Sequence, residues 1–94
     1  MTREYYAAHL NKRFSIESTL GAVAVQLAAV EGLQFAKNAE SFRLLFMGST
    51  EPRLLQGTYL VGLDEAGAEP EAVFLVPVGS ASGLTQYEAV FNLG

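Results

Sequence analysis

The architecture turns on Ser41-Phe-Arg-Leu-Leu-Phe-Met47. Side chains alternate across a strand with a period of two, so Phe42, Leu44 and Phe46 share one face while Ser41, Arg43, Leu45 and Met47 share the other. The segment reads as a strand with one fully apolar face, and the cluster Gly48-Ser-Thr-Glu-Pro52 breaks it.

Working outward, the same alternation recurs. Upstream, Arg13-Phe-Ser-Ile-Glu17 alternates polar and apolar, Thr19 to Ala22 makes a turn centred on Gly21, and Val23, Val25 and Leu27 continue as a second strand. Val30 is out of phase, which a bulge explains. Gly32 to Asn38 is a connection with Leu33 and Phe35 pointing inward. Downstream, Gly57 to Leu63 places Tyr59, Val61 and Leu63 on one face, and Asp64-Glu-Ala-Gly67 turns the chain into a partner strand, Ala72 to Val78. Pro77 lacks an amide donor and belongs at a strand end, an edge or a bulge, on an exposed rim. Gly79-Ser-Ala-Ser-Gly83 reads as a flexible loop, and Gln86 to Asn92 as a last strand with Tyr87, Ala89 and Phe91 inward. Only the N-terminus has helical period. Thr2 caps a helix over residues 3–11, Glu4 complements its dipole, Tyr6, Leu10 and Phe14 form one stripe, and Asn11 ends it. No later segment has the helical period that parallel crossovers need. The expectation is a mainly β fold in one domain over residues 1–94. It is a six-stranded antiparallel meander curled into a small barrel or a two-sheet sandwich, with a short N-terminal helix.

Half of the residues are hydrophobic and 17% are charged, so the chain buries a core and is not a disordered segment. Six basic against ten acidic residues give a net charge of −4, the wrong sign for binding through phosphate neutralisation. Arg3, Lys12, Arg13, Lys37, Arg43 and Arg53 form no basic run. Nucleic acid is therefore not an expected partner. Glu4, His9, Asn11 and Lys12 interrupt any apolar signal region, and Gly21 to Val30 is too short to span a bilayer and contains Gln26. The chain is expected to be cytoplasmic as synthesised, without a classical signal peptide and without membrane insertion. Association with an exported assembly stays open.

Catalytic and metal chemistry find little support. The absence of cysteine removes thiolate nucleophiles, disulfides and cysteine-based metal sites, and His9 is the lone histidine. Asp64, Glu65, Glu69 and Glu71 lack the alternating ligands of a calcium loop and read as a solvated acidic turn. No serine lies in a Gly-x-Ser-x-Gly elbow, and the Gly79–Gly83 segment precedes a strand instead of the helix that a phosphate cradle needs. No cofactor, metal or catalytic residue is expected.

Four segments together carry a family resemblance: Phe42-Arg-Leu-Leu-Phe-Met-Gly48, Gln56-Gly-Thr-Tyr59, Phe74-Leu-Val-Pro-Val-Gly79 and Tyr87-Glu-Ala-Val-Phe-Asn92. In order and spacing they resemble a small bacterial family classed as a domain of unknown function, more strongly in the C-terminal half than in the N-terminal half. The resemblance implies a compact β domain and no established reaction. It further implies an accessory role in an extracellular or phage-tail-like assembly, because similar chains are encoded near proteins with tail-collar-like domains.

Two function classes follow: a non-catalytic interaction or structural module, and a small-ligand-binding β-barrel. The first is favoured, because six short strands enclose little beyond their own side chains. Its expected partner is a protein or a second copy of the chain. The candidate contact residues are Leu45 and Met47, opposite the Phe42/Leu44/Phe46 face, and Leu54 and Leu55, in a polar loop beside Arg53. An equally good reading of the loop folds Leu54 and Leu55 over a barrel end as a plug.

Overall fold

A computed structural model of the chain describes residues 2–33 and 41–92. Helix α1 (Arg3–Ala8) begins where Thr2, in extended backbone, accepts the Tyr5 N–H on its hydroxyl at 3.1 Å. This cap and Glu4 in the first turn are the local reasons for a helix here. It ends at Ala8, short of the expected residue 11, and Asn11 turns the chain in the left-handed region at φ 70°. Leu10 consequently leaves the expected stripe and is 43% exposed, while Tyr6 and Phe14 remain buried.

Six strands follow: β1 (Arg13–Ser18), β2 (Gly21–Gly32), β3 (Phe42–Ser49), β4 (Gly57–Leu63), β5 (Glu71–Ala81) and β6 (Leu84–Phe91). All neighbours are antiparallel, and the wall closes in the order β1-β2-β3-β6-β5-β4. The fold is thus a closed barrel and not a sandwich. It also departs from the expected simple meander. After β3 the chain crosses one barrel end to β4, which pairs with β1, so β1-β2-β3 and β4-β5-β6 are two three-stranded meanders of like connectivity. The β1·β4 ladder, Phe14↔Leu63 to Glu17↔Leu60, and the β3·β6 ladder, Phe42↔Phe91 to Ser49↔Leu84, join them.

The long middle strand of each meander turns a corner. β2 pairs with β1 through Gln26 and with β3 from Val25 onward, whereas β5 pairs with β4 through Leu75 and with β6 from Val76 onward. Each carries a register shift, at Leu27/Ala29 and at Pro77/Gly79. A bulge bends its strand and sharpens the twist, which a six-stranded wall needs in order to close. Val30 follows the bulge expected for it, and Pro77, for which a strand end, an edge or a bulge on an exposed rim is expected, sits at the second bulge, half-buried within β5 and opposite Tyr87. The Gly79–Gly83 segment is corrected. β5 runs on to Ala81, and only Ser82 (φ 53°) and Gly83 (φ 76°) form the turn. Two consecutive residues of positive φ match the hairpin turn whose twist fits the flanking strands. Leu33 is half-buried and its N–H donates to Ser41 O at 3.2 Å, while the expectations for Phe35 and the rest of that connection lie outside the described residues.

Inward positions alternate as strand geometry requires. Phe14, Ile16, Leu27, Phe42, Leu44, Phe46, Leu75 and Tyr87 are all but inaccessible, and Tyr59 and Phe91 pack half-buried against them. Each fully buried large apolar side chain contributes about 1.5–3 kcal/mol. Two further side chains enter from outside the wall. Tyr6 of α1 closes one end, with its ring near Phe14, Phe42 and Phe91. Leu54, on the loop between β3 and β4, closes the other, where its N–H donates to the Tyr87 hydroxyl at 2.9 Å.

Candidate protein-contact surface

Strand parity that fills the interior also decides what faces out. On β5, Val73 and Leu75 are buried, so Ala72, Phe74 and Val76 point outward, with Phe74 51% exposed, and Val78, the extra residue of the bulge, is 48% exposed. On β6, Tyr87 and Ala89 are buried, which turns Gln86, Glu88 and Val90 outward, with Val90 54% exposed. Register brings these together. Val76 lies opposite Glu88 of β6, Phe74 lies opposite Thr58 and Ala72 opposite Leu60 of β4, and Val90 lies opposite Arg43 of β3. The outer wall of β4, β5 and β6 thus carries Leu60, Phe74, Val76, Val78 and Val90.

The charges beside this wall are paired. Arg43 on β3 reaches Glu31 of β2, with Nε 2.8 Å from Oε1, and donates from Nη1 to Glu88 Oε2 at 2.7 Å. The Nη1 contact is a charge-assisted hydrogen bond, whereas Nε meets Glu31 as an ion pair without hydrogen-bond geometry. The pairing stitches three neighbouring strands by sharing one guanidinium between two carboxylates, and it holds Glu88 on the outer face beside Val90.

The four residues picked out in the sequence have different fates. Leu45 and Met47 are outward and half-buried on β3, opposite Glu88 and Gln86, whose polar side chains separate them from the apolar residues of β5. Leu55 is 80% exposed on the loop, its carbonyl accepting the Tyr59 hydroxyl at 2.6 Å. Leu54 is corrected: at 3% exposure it is a core residue and offers no surface to a partner. The plug reading therefore holds for Leu54, while Leu55 stays outside. Phe74, Val78 and Val90 were missed as contact candidates. Their signal was present in the run Ala72 to Val78, which is apolar on both faces although only one face can point inward.

Two polar groups at the α1 end have local partners. His9 Nδ1 lies 2.7 Å from Tyr5 O. The Tyr6 hydroxyl donates to Glu71 Oε1, and burial first, then this bond and the carboxylate charge, push its pKa well above the usual tyrosine range. A shallow groove bordered by Glu17, Ser18, Thr19, Thr58 and Tyr59 runs where β4 parts from β1. Among the described residues no group of three His, Asp or Glu side chains is placed to hold a metal ion, and no helix is long and apolar enough to cross a membrane.

This chain belongs to a domain-of-unknown-function family, DUF6916, whose model matches residues 1–91. The match takes in α1 and all six strands, so the N-terminal helix is part of the family's domain and not an appendage to it. No curated protein and no solved structure matches the chain.

Proposed function

We propose that the chain is a non-catalytic interaction module that docks a separate protein on the outer wall of β4, β5 and β6. The observation that carries this reading is the exposed apolar set Leu60, Phe74, Val78 and Val90 on the outer faces of three neighbouring strands, beside the Arg43–Glu88 ion pair. Exposed apolar residues rimmed by polar ones commonly mark protein contact sites. Gln86 and Glu88 on β6 and Thr58 on β4 give this wall such a rim, which suits a contact with an apolar centre and polar edges. The resemblance to chains encoded beside tail-collar-like proteins supports placing that partner in an exported, tail-like assembly. An enclosed ligand cavity in the middle of the barrel has less support, because Phe14, Phe46, Leu75, Tyr87 and Leu54 already fill it.

Site-directed photo-crosslinking in the source cell tests the proposal, with a benzophenone side chain at position 74 and, as control, at Ala24 on the exposed face of β2. The expected result is one discrete protein joined at position 74, absent from position 24 and lost when Val90→Ser is added. Equal labelling at both positions, or a product containing only a second copy of the chain, would overturn it.

A further inference from the structure

We propose that the barrel mouth beneath α1 is a phenol-binding site that the chain occupies with its own Tyr6, making α1 a displaceable stopper. This inference rests on the barrel interior and is independent of the outer-wall reading.

The site is built for a hydroxylated ring. Tyr6 lies with ring centroids 6.0 Å from Phe14, 6.2 Å from Phe42 and 5.7 Å from Phe91, so β1, β3 and β6 each supply an aromatic wall. Phe42 and Phe91 are stacked on each other at 4.7 Å with their planes 9° apart, which holds two of those walls in place whether or not Tyr6 is present. The hydroxyl meets Glu71 at the start of β5. Tilted aromatic contacts around a ring, with a carboxylate at the ring's polar end, recognise a phenol in preference to a plain hydrocarbon.

The stopper is lightly held. α1 has six residues, too few to be a stable helix by itself, and Tyr6 is its one buried residue. Among the described residues its other supports include the Thr2 cap, Tyr5 packed edge-on against Tyr6 and half-buried against the core, and the Arg3 guanidinium over Gly32, where an added Cβ would lie 2.9 Å from Nη1. Every strand pairing of the barrel is made without α1. The chain is fastened just after the helix, by Asn11 N–H to Leu27 O at 2.8 Å and Leu27 N–H to Lys12 O at 3.0 Å. The helix can therefore lift about His9 and Leu10 while the wall stays closed.

The phenol that replaces Tyr6 is either a free small molecule or the Tyr6 of a second copy, and the experiment separates these sources. In the wild-type chain, hydrogen exchange of the Tyr5 to His9 amides is expected to run about 100-fold faster than that of the Phe42 to Phe46 amides, relative to intrinsic rates. Millimolar p-cresol should speed the helix amides further and leave the strands unchanged. In Tyr6→Ala, p-cresol should raise the melting temperature saturably and bind roughly tenfold tighter than toluene, the worth of one hydrogen bond to a charged acceptor. Adding Glu71→Gln should reduce that preference. Native mass spectrometry of Tyr6→Ala mixed with wild type gives a heterodimer if a second copy is the source. Helix amides that exchange only with the strands overturn the stopper, and a folded Tyr6→Ala that responds neither to p-cresol nor to the wild-type chain overturns the site. Should Tyr6→Ala fail to fold, the wild-type exchange measurement with p-cresol decides alone.

Discussion

Leu54 and Leu55 are neighbours in sequence and opposites in environment, and alanine at each should separate them sharply. Leu54→Ala removes three carbons from a side chain that is 3% exposed. At about 0.8 kcal/mol per buried carbon the transfer loss is about 2.4 kcal/mol, and an unfilled cavity adds to it. The residue sits on a loop at a barrel end, where the chain can settle into part of the space, so the total should be near 3 kcal/mol. For a chain of this length each kcal/mol lowers the melting temperature by about 4–8 °C, giving a fall of roughly 12–24 °C. Leu55→Ala acts on a side chain that is 80% exposed and should stay within about 0.5 kcal/mol. Urea denaturation followed by far-UV dichroism measures both, and an unchanged slope confirms that only the midpoint moved. Equal effects at the two positions, or a larger one at Leu55, would refute the assignment of Leu54 as the plug.

Tyr87→Phe leaves the buried Leu54 N–H without its acceptor and should cost about 1–3 kcal/mol in the same assay; a change under about 0.5 kcal/mol would mean that the 2.9 Å bond contributes nothing. Thr85 faces inward at 1% exposure, and its Oγ1 has no hydrogen-bond partner among the described residues, so Thr85→Val should stabilise by about 1 kcal/mol. A loss of stability there would count against the burial of that hydroxyl. The Tyr6 hydroxyl is held protonated in the folded chain by burial and by Glu71, so its stabilisation is complete below the ordinary tyrosine value near 10 and is lost as pH rises above it. Between pH 10 and 11 the wild type should lose up to about 1.4 kcal/mol through this group, and Tyr6→Phe should lack that part of the decline; identical alkaline slopes would refute it.

How much of this was legible depended on whether the deciding interaction was local. Phe42, Leu44 and Phe46 announce an inward face by period alone, and Val30 and Pro77 announce bulges because one breaks parity and the other lacks an N–H. Closure was not legible, because Phe14 and Ile16 point inward whether β1 pairs with β4 or with any other strand. The β5–β6 hairpin hid behind small residues: Gly79, Ser80 and Ala81 are too short to show alternation, and only the positive φ at Ser82 and Gly83 reveals where the strand ends. At the contact surface, Leu45 and Met47 followed from parity, whereas choosing between Leu54 and Leu55 required knowing how the loop crosses the barrel end. The two meanders share one device, since each is preceded by a segment that sends a single side chain into an open end, Tyr6 before β1 and Leu54 before β4. Their chemistry differs. Leu54 brings only an apolar side chain, and its backbone N–H satisfies Tyr87, so that end is sealed by groups without other uses. Tyr6 brings a ring and a hydroxyl to three phenylalanines and a carboxylate, so the groups that can recognise a ring with a polar end stand at the α1 end.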